Sequence, residues 1–279
     1  MHAGLPDPVT GHAQRPARGQ EAHGAPGGAR TARVVLGRPL VRIWEVTSTN
    51  DVAWGLARAG LPEGAVVVAS RQTHGRGRLG RAWASPDGGL WCSVLLRPPS
   101  QSRWPLLSLA AALAVAEAVE TVAGVAAGVR WPNDVLVAGR KVAGILLEAS
   151  GDALVIGVGI NANVALEALP LEVRATATSL AVAASRPVDL EVLRLALLER
   201  LAAWYEAWQR GTDLTGAWAR RDALAGRRVT VRTPETIVEG TGDGVAADGA
   251  LRVRLAGGEV RHVLVGDLVT LSAEREPSA

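Results

Sequence analysis

The chain has 279 residues, of which 48% are hydrophobic and 20% charged. That composition is ordinary for a globular protein, and the length allows one large domain or two smaller ones. The net charge of +3 is accounted for by residues 1–38, where Arg15, Arg18, Arg30, Arg33 and Arg38 face only Asp7 and Glu21. The rest is close to neutral, so a nucleic-acid-binding body, which would need a basic face, is not expected. One cysteine, Cys92, excludes an intrachain disulfide and fits a reducing compartment. The longest apolar stretch, residues 105–119, contains Ser108 and Glu117 and falls short of the roughly 20 residues of a membrane span. No secretory signal is visible, and the expected compartment is the cytoplasm, with no membrane partner.

With no Phe and one Tyr, the core has to be built from Ala, Val and Leu, with nine Trp as bulky exceptions. Of 30 basic residues only Lys141 is a lysine. An ammonium is a compact point charge that a planar guanidinium does not replace, so a lone surviving lysine is a candidate for chemistry as well as for chance.

Residues 1–38, rich in Gly, Pro, Ala and Arg without apolar periodicity, read as a disordered leader. From Val41 the pattern becomes α/β. Ser48-Thr49-Asn50-Asp51 is a run of N-cap residues ahead of a short helix. Residues 65–70 read as a buried strand, 75–88 as a loop, 89–97 as a second strand, and 105–122 as a long apolar helix opened by Pro105. Short strands follow at 129–131 and 134–137, then longer ones at 141–148 and 153–160. The turns at 138–140 and 150–152 join them as hairpins, which implies a mixed or antiparallel sheet. Helices are expected at 190–208 and 214–225. Beyond Arg227 short β runs at 229–232, 251–255 and 260–265 alternate with Gly turns and read as a small terminal β-barrel. The resulting organisation is a leader (1–38), a main domain (39–225), a β domain (226–273) and a tail (274–279).

Gly75-Arg76-Gly77-Arg78-Leu79-Gly80 matches the glycine pattern of a dinucleotide fold but does not open a helix, so that reading is rejected. The loop alternates glycine with Arg76, Arg78 and Arg81. Three arginines so close repel one another unless an anion sits among them, which suits a mobile cover over phosphate or carboxylate; an exposed basic turn is the plainer alternative.

Five motifs in order resemble the catalytic core of biotin–protein ligases: Ser48-Thr49-Asn50; Gln72 with Gly75 to Arg81 and Trp83; Trp131-Pro132-Asn133-Asp134; Lys141-Val142-Ala143-Gly144 to Glu148; and Gly157-Val158-Gly159-Ile160-Asn161. The resemblance spans roughly residues 42–272. It implies an α/β fold of the α+β type, with a mixed, largely antiparallel sheet backed by helices and a small C-terminal SH3-like β-barrel. It also implies biotin and MgATP as substrates, biotinyl-5′-AMP as intermediate, and the biotin carboxyl carrier domain of an acyl-CoA carboxylase as partner. It allows a homodimer. The leader does not resemble the DNA-binding domain of the family's bifunctional type, so the monofunctional type is expected.

By the same resemblance, Ser48, Thr49, Asn50, Gln72 and Gly144 line the biotin slot, and Arg76, Gly77 and Arg78 belong to the loop that closes over biotin and adenylate. Arg78 and Arg81 meet phosphate, while Trp83, Asn133 and Asn161 contact nucleotide. Lys141 and Arg78 are the catalytic candidates, and Asp134 is a candidate Mg²⁺ ligand. Each has a plainer alternative: helix capping for Ser48 and Thr49, core packing for Trp83, a turn cap for Asn133 and Asp134. His74 departs from the family pattern and reads as an exposed loop histidine, and Cys92 as a strand residue without chemistry. The competing functions are lipoate–protein ligase, a biotin-responsive repressor, and a nucleotide-binding module without activity.

Overall fold

The computed structural model describes Met1 and residues 35–275; most of the expected leader and the last four residues of the tail lie outside the described residues. Leu36, inside the expected leader, packs against the core, and Gly37 donates its N–H to Gly64 O at 2.8 Å.

Seven strands form the main sheet: β1 (Leu40–Val46), β2 (Val66–Gln72), β3 (Leu90–Leu96), β4 (Ala127–Arg130), β5 (Asp134–Val137), β6 (Arg140–Ser150) and β7 (Ala153–Ile160). Their order is β1-β2-β3-β7-β6-β5-β4. Only β1–β2 is parallel, so the sheet is mixed and largely antiparallel, as the hairpin signals require. Ala138 and Gly139, at φ 49° and 75°, take the two left-handed positions that a tight β5–β6 hairpin demands. β1 carries no apolar run because it is an edge strand with Arg42, Trp44 and Glu45 exposed.

Alternation along each strand divides the core between two faces. Val67, Leu95 and Val155 meet Ala53 of α1 (Thr49–Arg58). Val66, Val94 and Ile156 meet the opposite layer, formed by α2 (Pro105–Ala123) and, after the short α3 (Leu171–Arg174) and α4 (Leu180–Ala184), by α5 (Leu190–Gln209). α2 is long and apolar enough to cross a membrane by length and composition. Here 13 of its 19 residues are buried against sheet and helix, and its all-round hydrophobicity is that of a core helix.

The helix expected at 214–225 is only α6 (Thr215–Ala219). After it the backbone pairs with β4, Val129 N–H to Arg221 O at 2.8 Å and Ala223 N–H to Val129 O at 2.9 Å, while the Arg221 guanidinium binds Glu120 at 2.7 Å. Tertiary pairing thus overrides a helical pattern. The C-terminal strands β8 (Arg227–Arg232), β9 (Ile237–Val245), β10 (Leu251–Arg254), β11 (Val260–Val263) and β12 (Asp267–Arg275) form an antiparallel sheet ordered β11-β10-β9-β8-β12. This is the small β unit expected beyond Arg227, with β11 and β12 at the two ends of the strand order. Val229, Val231, Leu251 and Val253 share one apolar core with α2, and Trp131 Nε1 donates to Gly249 O at 3.1 Å.

At this junction Asp222 accepts Leu224 N–H at 2.8 Å through Oδ1, while Oδ2 is sealed from solvent. Burial pushes its carboxyl up to about 6. A carboxyl raised in the fold stabilises it below the ordinary value of about 4, and that contribution is lost as pH rises through the folded value. Stability of the wild type relative to Asp222→Asn should therefore fall by about 2–3 kcal/mol between pH 4 and pH 7 in urea titrations. Parallel pH profiles for the two proteins would remove Asp222 as the cause.

Candidate functional site

The α1 face of β6 and β7 carries three glycines, Gly144, Gly157 and Gly159, where side chains would otherwise stand. Gly144 and Gly159 are cross-strand partners, and Gly157 pairs with Leu146 of β6 and Ser93 of β3. A methyl group at Gly157 would fall 2.5 Å from Asn50 Oδ1; one at Gly159 would fall 2.5 Å from Trp83 Nε1, and one at Gly144 3.0 Å from the Trp83 ring. All three distances are inside van der Waals contact, so Asn50 and Trp83 lie flat on bare backbone.

Ser48 is the N-cap residue of α1, yet its side chain caps nothing, and Ser48, Thr49 and Asn50 are all buried. The capping alternative for these residues therefore fails for the Ser48 side chain. Thr49 N–H donates to Gln72 Oε1 at 2.8 Å, and Gln72 Nε2 donates to Ser85 Oγ at 2.7 Å. The Ser93 hydroxyl lies 2.7 Å from the Thr49 hydroxyl and 2.6 Å from Asn50 Oδ1. Asn50 Nδ2 is sealed and without a partner. A buried donor left unpaired costs about 1–3 kcal/mol, which a ligand acceptor can recover.

The Gly-Arg loop runs over this floor. Arg76 forks onto Asp51 at 2.7 and 2.9 Å and reaches Glu148 at 3.3 Å. Its hydrogen bonds hold the Asp51 carboxyl below the usual range. Gly77 N–H closes the loop on Arg81 O at 2.7 Å, and Leu79 sits exposed at its tip with φ 57°. Arg78 donates to Gly266 O at 3.1 Å, Arg81 pairs with Asp267, and both partners lie at the start of β12 or just before it. Burial draws the Arg78 guanidinium down, with Asp134 and Arg81 close enough to act on it.

Lys141 stands where β6 begins. Its Nζ is 2.5 Å from Asp134 Oδ1 and 5.0 Å from the centre of the Trp83 ring. Asp134 Oδ2 accepts from Arg130 at 2.6 Å. Both carboxylate oxygens are therefore engaged by cations, Lys141 on one and Arg130 on the other. Among the described residues no cluster of three or more His, Cys, Asp or Glu could hold a metal ion. Asn133 Nδ2 donates to Ile145 O at 2.7 Å and ties β5 to β6. Asn161 Nδ2 donates to Thr178 O at 3.2 Å, leaving its Oδ1 sealed and unpaired.

The structure thus gathers Thr49, Asn50 and Gln72 in one network, and Lys141, Asp134, Trp83 and Gly144 in another, with Arg76, Gly77, Arg78 and Arg81 in the covering loop. Asn133 and Asn161 serve strand junctions. A cleft of about 680 Å³ opens on the other side of Gln72 and Ser85, among Glu45, Arg71 and Asp87, away from Lys141. His74 is exposed on that loop. Cys92 is buried, its thiol pushed up to about 12 by burial, and is chemically inert. Sequence reasoning missed Ser93, Ser85, Arg130 and Asp267. Ser93 had one available signal, a polar residue inside the apolar run of β3.

The model of the biotin/lipoate A/B protein ligase family matches residues 43–163, and that of the biotin protein ligase C-terminal domain matches residues 225–269. The biotin–[acetyl-CoA-carboxylase] ligase of Paracoccus denitrificans is 38% identical over 222 residues, covering 74% of this chain and 90% of that protein. The bifunctional ligase/repressor BirA of Bacillus subtilis is 35% identical over 231 residues, covering 78% of this chain and 70% of that one. The biotin protein ligase of Aquifex aeolicus, solved in complex with biotin and ATP, superposes with a TM-score of 0.75 at 31% identity, covering 85% of this chain and 99% of that one.

The bare floor has a direct test. Gly157→Ala should lose about 1–3 kcal/mol in chemical denaturation because Asn50 cannot yield without breaking its bond to Ser93. Gly216→Ala, with open space around it in α6, should be neutral or slightly stabilising. Equal behaviour of the two variants would contradict the close approach at Gly157.

Proposed function

The chain belongs to the biotin/lipoate A/B protein ligase family, and we propose from this that it is a biotin–protein ligase of the cytoplasm. It couples biotin to MgATP as biotinyl-5′-adenylate and transfers the biotinyl group to a lysine on the carrier domain of an acyl-CoA carboxylase. The observation that carries the reading is the charge surplus at Lys141. One carboxylate, Asp134, serves two cations, and among the described residues Arg78 has only a backbone carbonyl as its direct partner. Such a cluster is matched by a triphosphate and a carboxylate arriving together.

In the first step the biotin carboxylate attacks the α-phosphorus, forming the acyl–phosphate bond as the bond to pyrophosphate breaks. Negative charge grows on the α-phosphate oxygens, and Lys141, held by Asp134, stabilises it more than the ground state. Arg78, drawn partly out of water, acts on that charge through a weakly screening medium. Mg²⁺ enters with ATP as part of the substrate. The Gly-Arg loop keeps water from the mixed anhydride. In the second step a neutral lysine amine attacks the acyl carbon, the amide forms, AMP leaves and the amine's proton passes to solvent.

Lipoate shares the family and the chemistry. The match of the C-terminal domain and the likeness to a ligase solved with biotin favour biotin. The repressor reading rests on the likeness to a bifunctional relative, of which the match covers 70%.

Labelled biotin, MgATP and a carrier domain should give label transfer that requires ATP and the acceptor lysine, with lipoate inert in parallel. Lys141→Ala and Arg78→Ala should each slow adenylate formation about 100-fold or more. Normal turnover in either variant would remove that residue from the mechanism, and equal use of lipoate would overturn the substrate.

A further inference from the structure

The motifs account for Thr49, Asn50 and Gln72 but not for Ser93, which is fully buried at the centre of β3 amid Trp91, Cys92, Val94 and Leu95. A hydroxyl there is retained only if it has partners, and it has two. Ser93 and Gly157 face each other across β3 and β7. Asn50 descends from the first turn of α1 onto that pair, its amide lying on the bare backbone of Gly157.

Proton accounting fixes the amide. The separation between Ser93 Oγ and the Asn50 amide is 2.6 Å, the range of O–H···O bonds and shorter than N–H···O bonds. The atom facing Ser93 is therefore the carbonyl oxygen, which only accepts, and the single Ser93 proton goes to it. The Thr49 hydroxyl, 2.7 Å from Ser93 Oγ, then supplies the proton between those two. Gln72 Oε1 keeps the Thr49 N–H at 2.8 Å, and the longer contact of the Thr49 hydroxyl with that same oxygen, at 3.1 Å, gives way to the shorter one with Ser93. The one group left over is Asn50 Nδ2, buried and without a partner on a residue only 3% exposed.

We infer that Ser93 is a positioning residue: it holds the Asn50 amide carbonyl-down, so that the slot presents a fixed hydrogen-bond donor. The slot therefore demands an acceptor from its ligand at that point. Resting on the biotin reading above, the acceptor is the carbonyl of a cyclic urea, and a cyclic guanidine of the same shape is refused near neutral pH because its protonated form has donors only. Without Ser93 the amide is free to turn over and offer its oxygen instead, at no change in shape.

The test compares biotin with 2-iminobiotin, the cyclic guanidine analogue, in the wild type, Ser93→Ala and Ser93→Thr. Calorimetric binding and carrier labelling are both measured, and melting curves report folding. In Ser93→Ala the KM and Kd for biotin should rise about tenfold or more, the value of one buried hydrogen bond, with the KM for ATP unchanged. The preference for biotin over 2-iminobiotin should narrow by a similar factor. Ser93→Thr, which keeps the hydroxyl, should restore the preference. An unchanged preference in Ser93→Ala would overturn the positioning role, as would parallel rises in KM for biotin and ATP, which mark general loosening. Wild-type protein that neither binds nor transfers biotin would overturn the ligase reading itself, a result distinct from either.

Discussion

Three glycines on one face of two adjacent strands set the distance at which everything else in the site can stand. With no side chains at Gly144, Gly157 and Gly159, Asn50 and Trp83 approach the sheet to within van der Waals contact of its backbone. That depth makes a slot where an ordinary sheet would present a ridge of side chains. The α1 layer covers the same face beside it, and its buried first turn delivers Thr49 and Asn50 to the slot's inner end. The opposite face carries α2 and α5 and the bulk of the apolar core, which leaves the site face free of a packing burden.

Charge is distributed unevenly over this geometry. Arg76 is neutralised by Asp51 and Glu148, and Arg81 by Asp267. These pairs tie the loop to α1, β6 and the C-terminal sheet. They are partly exposed, so their net contribution is small and they can exchange for other partners. The group at Lys141 differs, because Asp134 is buried and shared. The C-terminal sheet is joined to this arrangement through Gly266 and Asp267 at the loop and through Trp131 to Gly249 in the core. Its place in the account is to hold the cover as well as to complete the fold.

Much of this was legible in the sequence for a specific reason. Chemistry borne by contiguous residues, such as the Gly-Arg loop, the lone Lys141 or the polar run Ser48–Asn50, can be read locally, and so can hairpins with turn residues between apolar strands. What failed was set by partners distant in the chain. Residues 220–225 have a helical pattern and no helix, because β4 offered backbone pairing and Glu120 an ion pair to Arg221. β1 carried no strand signal because edge exposure breaks its apolar pattern. The sequence neighbours of Asp134 do not reveal that Lys141 and Arg130 engage its two oxygens. Ser93 was passed over because an apolar run reads as core even when one member is polar.

Activation of a carboxylate at the α-phosphorus of ATP is measured most directly when that step is isolated from the carrier. Purified protein with ATP, Mg²⁺ and labelled pyrophosphate should exchange label into ATP only when biotin is added, with no acceptor present. Exchange that is absent with biotin, or that runs equally well with no acid added, would contradict it.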